Sequence, residues 1–443
     1  MSKQPLTARR SNTLQGEAQV PGDKSISHRA LMLSLLARGR STVSGLLEGE
    51  DVLATAAAMR ALGGTVTKHN DGQWSVDGVG LGQLKQPSNT LDMGNSGTAA
   101  RLLIGLLSTH PISAQITGDA SLRSRPMRRV FDPLSDTGAH FDAQPGGRLP
   151  LQLRGSNSAY HLKHRLSVAS AQVKSALLLA ALNLPGTSVI EDPFETRDHS
   201  ENMLRYFGAD IRVERADDAS RIVIAGRPIL RAQHVDVPAD PSSAAFPMVA
   251  ALIVPGAHVT IPNVCVNPTR TGLFEALRLM NATITEANRH DCGGEPVADM
   301  TVRSANLKGA ELPATMIPRM VDEVPILAIA AAHADGTTVL RGLAELRIKE
   351  SDRLAAVHAG LTQIGVTAQV ENDDLIIHGC GSSGIPGGGD AVVTHYDHRI
   401  AMSFLIAGMA STLPITVDDS RAIATSFPNF SDVMTSLGGV FHR

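Results

Sequence analysis

The chain has 443 residues, 43% of them hydrophobic, and its 40 Lys and Arg nearly balance its 43 Asp and Glu, for a formal net charge of -3. That length exceeds one ordinary core and predicts two or three domains, while the balanced charge excludes a broad basic face for nucleic acid, so any cationic function has to be local. The opening MSKQPLTARRSNTLQG lacks the apolar run of a secretory signal, the apolar stretch 176–184 is too short for a bilayer, and three cysteines (Cys265, Cys292, Cys380) without metal-ligand spacing fit a reducing cytoplasm with no membrane partner.

Followed in chain order, one arrangement is expected six times. A short run of small, polar or charged residues opens an apolar helix, a β-branched strand follows, and a second helix ends at Gly or Asn. The openings read DKSISHR from Asp23, GNSGTAAR from Gly94, SVASAQVK from Ser167, DPSSAAFP from Asp240, RMVDEVP from Arg319 and HYDHRIAM from His395. The strands are expected at 41–44, 112–116, 187–190, 258–261, 337–340 and 415–417. The second helices should end at Gly63, Gly138, Gly208, Asn281, Gly365 and Gly438, 70 to 84 residues apart, with a left-handed cap at each. A period this long signals a repeat architecture, and the alternation of helices and strands signals an α/β class. A break near 231–238 divides the units into two groups of three, and a cleft between two such halves is a favoured place for a small-molecule site. Gly293, Gly294 and the glycine-rich stretch 381–389 read as loop tips.

The openings carry the residues suited to chemistry. A helix N-terminus leaves backbone N–H groups unpaired and presents the positive dipole end, which suits phosphate or carboxylate. Several such ends, seeded with Lys and Arg, point to a substrate with several negative charges. Lys24, Ser25 and Arg29 surround one first turn, with Ser25 as the expected cap. Gly94 and Gly97 permit close backbone approach to a ligand. The following loop adds Arg123, Arg125, Arg128 and Arg129; Arg125, fixed ahead of Pro126, is the one expected in the site and the others are expected on the surface. Ser170 and Gln172 stand at the entrance of an apolar helix that should be buried. Arg197 and His199 open the next helix, where a lone His is expected as a cap or surface residue. Asp322 and Glu323 precede an apolar helix, either as a general base or as compensation of the helix dipole. Lys349, Glu350, Asp352 and Arg353, taken alone, read as a solvated helix start. His395 and His398 have no third ligand at sound spacing, so no metal is expected.

Taken together, PGDKSISHRALM, GNSGTAAR, GDASLRSRPM, ASAQVKSALLLA, TRDHSE, DPSSAAFP, NPTRTG, DEVPILA, ELRIKESDR, DHRIAM and TSFP occur in an order that resembles the 5-enolpyruvylshikimate-3-phosphate synthase family, the 3-phosphoshikimate 1-carboxyvinyltransferases. The match runs from about Val20 to Phe430, and its wording is more similar to the glyphosate-tolerant bacterial branch than to the plant-like one. The resemblance implies an α/β, two-domain inside-out barrel (the enolpyruvyl transferase fold) of six βαβαββ repeats, three per domain. Residues 21–235 would hold repeats one to three. Residues 1–20 and 236–443 would form a discontinuous domain with repeats four to six, and the active site would lie in the cleft between the domains. The implied reaction moves the carboxyvinyl group of phosphoenolpyruvate to the 5-hydroxyl of shikimate 3-phosphate and releases phosphate, on the shikimate pathway to chorismate and the aromatic amino acids. A cytoplasmic monomer needing no metal or organic cofactor is expected.

By the same resemblance, Lys24, Ser25, Arg29, Ser170, Gln172, Arg197, Asp322 and Lys349 would hold shikimate 3-phosphate, and Lys24, Gly97, Arg125, Gln172, Arg353 and Arg399 would hold phosphoenolpyruvate. Asp322 would accept the hydroxyl proton, and Glu350, assisted by Lys24, would shuttle a proton at the enolpyruvyl carbon. Many relatives have a Lys just before their TFP-like segment where this chain has Thr425, so that cationic contact drops out of the expected set. Tolerant relatives can carry Ala at the position of Gly97; inhibition by glyphosate is expected here, and Gly97→Ala should weaken it. Three rival readings differ from this one at particular residues. The sister transferase acting on UDP-N-acetylglucosamine typically has a Cys where this chain has Ala120. An RNA 3′-phosphate cyclase would want a basic RNA face. A non-catalytic anion-binding module would not need Asp322 or Glu350 as proton carriers.

Overall fold

Helices in this chain begin where a small polar side chain can accept a backbone N–H that the first turn leaves unpaired. In the computed structural model, which describes residues 3–156, 160–215 and 219–442, Ser96 accepts from Ala99 N at 3.2 Å ahead of the Gly97–Ser108 helix. Ser170 accepts from Val173 N at 3.4 Å ahead of Ala171–Leu182. Asp240 accepts from Ser242 N at 2.9 Å ahead of Pro241–Ile253, and Asp397 from Arg399 N at 2.9 Å ahead of His398–Gly408. The Lys24–Leu36 helix begins one residue before Ser25, so Ser25 lies inside the first turn rather than capping it. The Val324–His333 helix follows a 3-10 turn over Val321–Glu323. These six helices are buried along most of their length. A helix buried all round needs no polar stripe, and this is why their sequences run almost wholly apolar.

The six positions Gly63, Gly138, Gly208, Asn281, Gly365 and Gly438 all have positive φ, from 70° to 111°. A left-handed residue turns the chain out of each second helix toward its next strand. Gly105 has a different purpose. A Cβ there would lie 2.2 Å from the Ala176 carbonyl oxygen, so only glycine lets the Gly97–Ser108 and Ala171–Leu182 helices touch backbone to backbone. That contact sets the starts of the two helices, with Gly97 and Gln172, side by side.

The described strands form six separate sheets, one of three strands and five of four. In one, Glu311–Leu312, Asp335–Leu340, Asp374–Cys380 and Thr367–Glu371 lie in that spatial order; the first pair is parallel and the others antiparallel. The parallel pair spans a helical crossover, as parallel neighbours must. Two sheets recruit a strand from far along the chain. His234–Asp236 runs parallel to Arg38–Ser44, and Gln15–Glu17 runs parallel to His258–Cys265. Leu6–Arg9 lies between Ile415–Val417 and Val440–His442 in the three-stranded sheet. Among the described residues no sheet closes on itself into a barrel, because short edge strands such as Leu91–Asp92 and Glu311–Leu312 end the ladders.

The chain divides into two compact units. One comprises Met1–Asp23, Pro238–His290 and Pro296–Arg443; the other comprises Lys24–Val237 with Asp291–Glu295. In the first, Phe430 packs edge to face on Phe246 and on Phe427, with centroids 6.1 and 5.5 Å away, within a mainly aliphatic core. Among the described residues, no helix is long and apolar enough to cross a membrane.

Candidate active site

In the unit built on Lys24–Val237, three helix starts carry a connected set of polar side chains. Arg29, buried on the Lys24–Leu36 helix, donates from Nε to Ser200 Oγ at 2.8 Å, from Nη2 to Ser175 Oγ at 2.6 Å and from Nη1 to the Ser25 carbonyl at 2.8 Å. Lys24 at the mouth of the same helix pairs with the carboxylate of Asp51. At the start of the Gly97–Ser108 helix, Arg101 donates from Nη1 to Gln172 Oε1 at 2.8 Å, and Gln172 Nε2 donates to Thr98 Oγ1 at 3.0 Å. Arg125 donates from Nη2 to Asn95 Oδ1 at 3.0 Å and to Ser121 Oγ at 3.1 Å. A Cβ on Gly97 would meet Arg101 Nη1 at 2.7 Å and Arg125 Nη1 at 3.1 Å, so two guanidinium groups border this glycine. Fixed, forked donors at a helix start suit a carboxylate or phosphate. Of the other arginines in this loop, Arg123 and Arg128 are exposed and Arg129 is half-buried.

Behind the third helix start lies a buried ionic cluster. Lys174 is only 2% exposed; its Nζ lies 2.8 Å from Glu201 Oε1 and 3.1 Å from Asp192 Oδ2, and it donates to the Thr196 carbonyl at 3.0 Å. Burial opposes its charge, but the Glu201 and Asp192 carboxylates outweigh that and raise the ammonium above its ordinary range. Burial likewise opposes the charge of Asp192, and Lys174 with the Thr196 hydroxyl holds that carboxyl below its ordinary range. Arg197, half-buried, follows directly. His199 is neither a cap nor a surface residue: it is buried, and its Nδ1 lies 2.8 Å from Glu295 Oε1. An imidazole at a helix start can be drawn inward when a carboxylate from a distant segment meets it, and local sequence does not report that partner.

In the other unit, Asp322, Lys349, Glu350, Arg353 and Arg399 come together. Arg353 is 1% exposed, so the string around it is not a solvated helix start. Its Nε lies 2.8 Å from Asp397 Oδ2, its Nη1 3.2 Å from Asp322 Oδ1 and its Nη2 2.7 Å from Glu350 Oε2. Lys349 Nζ lies 3.7 Å from the same Asp322 oxygen, and Arg399 donates from Nη1 to the Asp322 carbonyl at 3.1 Å. Burial alone would push the Asp397 carboxyl up; Arg353, and after it His398, hold it below its ordinary range. His395 and Tyr396, just before Asp397, both have left-handed φ, 52° and 56°. Non-glycine residues keep such angles only where their surroundings over-determine them, a common feature of functional sites. Thr425 is buried and donates to the Ala422 carbonyl at 2.7 Å.

A second buried network backs this group. Arg270 pairs from Nη1 with Asp23 Oδ2 at 3.0 Å and from Nη2 with Asp240 Oδ1 at 3.2 Å, and donates to Ser242 Oγ at 2.7 Å. Ser242 donates to Glu323, whose Oε1 lies 3.7 Å from Arg399 Nη1. Burial, and then the neighbouring Asp23 carboxylate, push the Asp240 carboxyl up to about 6 against the pull of Arg270 and Arg399.

Sequence reasoning passed over Arg101, Lys174, Arg270 and Asp397. Lys174 left a signal, because a lone cation inside an apolar helix has to be paired. Arg101, Arg270 and Asp397 stand within recognised strings but look like ordinary surface charges there. Among the described residues no group of three or more His, Cys, Asp or Glu is arranged to hold a metal ion.

Residues 8–434 match the family described as EPSP synthase (3-phosphoshikimate 1-carboxyvinyltransferase). The chain is 59% identical over 424 residues to the 3-phosphoshikimate 1-carboxyvinyltransferase of Granulibacter bethesdensis, covering 95% of this chain and 93% of that one. It is 58% identical over 435 residues to the enzyme of the same name from Paramagnetospirillum magneticum, covering 98% and 97%. Among solved structures, EPSP synthase from Acinetobacter baumannii superposes with a TM-score of 0.89 at 42% identity, covering 99% of this chain and 100% of that one. The enolpyruvyl transferase NikO from Streptomyces tendae shares the fold, with a TM-score of 0.77 at 17% identity and 99% coverage of both chains. The chain therefore belongs to the EPSP synthase family and has an α/β enolpyruvyl transferase fold.

Proposed function

We propose that residues of both units act on one pair of substrates, shikimate 3-phosphate and phosphoenolpyruvate. The chain is a 3-phosphoshikimate 1-carboxyvinyltransferase of the shikimate pathway, so two phosphates and two carboxylates have to be met by local cations. In this reading Lys24, Ser25, Arg29, Ser170, Gln172, Arg197, Asp322 and Lys349 hold shikimate 3-phosphate. Lys24, Gly97, Arg125, Gln172, Arg353 and Arg399 hold phosphoenolpyruvate. Two domains of three repeats each complete the proposal.

The chemistry divides between two acids. The 5-hydroxyl oxygen bonds to C2 of phosphoenolpyruvate while its proton passes to the Asp322 carboxylate. Glu350 in its acid form, assisted by Lys24, delivers a proton to the methylene carbon, giving a tetrahedral adduct. The same Glu350 then removes a methyl proton as the C–O bond to phosphate breaks, restoring the vinyl group, and the hydroxyl proton held by Asp322 leaves with the phosphate. Two carboxyl groups near one another but differently placed suit this division of acid and base work. The observation that carries the reading is that the buried guanidinium of Arg353 reaches both Asp322 and Glu350 while Asp397 anchors it from behind.

The assignment is tested by substituting one cation at a time. Arg29→Ala and Arg197→Ala should raise KM for shikimate 3-phosphate with KM for phosphoenolpyruvate within about twofold. Arg125→Ala and Arg399→Ala should show the reverse. Equal effects on both constants in all four enzymes would contradict it.

A further inference from the structure

Lys174 lies on the Ala171–Leu182 helix, which also opens with Ser170 and Gln172, yet its side chain turns inward. Its ammonium meets three parts of the chain. It pairs with Asp192 at the end of strand Thr187–Asp192, it pairs with Glu201 on the His199–Tyr206 helix, and it donates to the Thr196 carbonyl between them. Asp192 holds the same short loop from its other side, accepting from Phe194 N at 3.0 Å, from Thr196 N at 2.9 Å and from Thr196 Oγ1 at 2.7 Å. Inside this loop Glu195 has φ +49°, a left-handed conformation that a non-glycine residue keeps only under firm constraint. The next residue after the clamped Thr196 is Arg197.

We propose that Lys174 is a positioning residue for shikimate 3-phosphate binding, fixing the backbone at Thr196 and thereby the place from which Arg197 reaches the substrate. The proposal rests on the assignment of Arg197 given above. The cluster holds one ammonium and two carboxylates, so it already buries one excess negative charge. Removing the ammonium alone would leave two unpaired buried carboxylates and endanger folding. Replacing Lys174 and Glu201 together by neutral residues of similar size keeps the excess at one and removes only the clamp.

The test uses full-length Lys174→Met/Glu201→Gln enzyme, Arg197→Ala enzyme and the combination of all three changes. The clamp variant should raise KM for shikimate 3-phosphate about tenfold, leave KM for phosphoenolpyruvate within about twofold, and add little to the effect of Arg197→Ala when combined with it. It should also speed hydrogen exchange of the Phe194 and Thr196 amides by at least about tenfold. A rise in both KM values together, multiplicative effects in the combined variant, or unchanged exchange at these amides would overturn the proposal. Faster exchange alongside an Arg197→Ala enzyme of normal KM would uphold the clamp and overturn the assignment of Arg197 instead. Thermal unfolding of the clamp variant near the parent temperature is the accompanying measurement; a collapse there with KM unchanged in the surviving enzyme would make Lys174 a stability element and end the proposal.

Discussion

Arg353 is held by Asp397 through two contacts, Nε to Oδ2 at 2.8 Å and Nη2 to Oδ1 at 3.3 Å, in a setting where both side chains are almost wholly buried. The anchored guanidinium then has a fixed reach: Nη1 meets Asp322 and Nη2 meets Glu350. One buried cation thus sets the spacing of the two carboxyl groups proposed to move protons. Asp397 in turn has a second duty, as the cap that accepts from Arg399 N.

Breaking this anchor should cost both stability and rate. Asp397→Asn takes from a buried guanidinium the fully buried one of its three carboxylate partners, at a cost of about 3 kcal/mol. Denaturant unfolding should register that loss, and kcat in the surviving folded enzyme should fall by roughly 10²-fold as the carboxyl groups lose their spacing. Wild-type stability in Asp397→Asn would contradict the anchoring.

The two carboxyl groups should separate by the proton each moves. Asp322→Asn and Glu350→Gln should each lower kcat by about 10²- to 10⁴-fold, the usual range for a lost general acid or base. In deuterated water, Glu350→Gln should also suppress deuterium uptake at the vinyl carbon of product per turnover. Uptake equal to that of wild type would remove Glu350 from the shuttle.

Gly97→Ala puts a methyl group 2.7 Å from Arg101 Nη1 and 3.1 Å from Arg125 Nη1. The guanidinium groups have to give way, and the pocket proposed for phosphoenolpyruvate narrows. The inhibition constant for glyphosate should rise by at least about tenfold, with KM for phosphoenolpyruvate rising less, since the inhibitor is the longer molecule. Equal inhibition constants for the two enzymes would count against this.

Asp240 should leave its mark on the pH dependence of stability. Its folded pKa of about 6 lies above the unfolded carboxyl value near 3.8. Between those values the folded state binds more protons than the unfolded state, so the contribution of Asp240 falls as pH rises from about 4 to 6, by up to about 1.4 kcal/mol per pH unit. Asp192 and Asp397 act in the opposite sense, because their lowered values make stability fall as pH drops below the ordinary carboxyl range. Asp240→Asn should therefore gain on wild type as pH rises from 4 to 6 in denaturant titrations. A constant difference over that window would contradict the account.

Helix starts and helix ends were legible because their chemistry is local. Ser96, Ser170 and Asp240 cap the next few residues, and the six Gly or Asn positions need only their own φ. Lys174 and His199 were passed over or misread, and Arg353 was misread where its string was taken alone, because their meaning is non-local. Each is drawn inward by a carboxylate 44, 18 or 96 residues away, respectively Asp397, Asp192 and Glu295. An acidic partner that far off looks like any other surface charge in a linear string. Thr425 was legible as a missing cation, and the structure turns its hydroxyl back onto the Ala422 carbonyl.

The account stands most directly on a phosphate-release assay. Purified enzyme given phosphoenolpyruvate and shikimate 3-phosphate should liberate one phosphate per enolpyruvyl product, and phosphoenolpyruvate alone should give none above background. Release that does not depend on shikimate 3-phosphate, or no release with both substrates present, would contradict it.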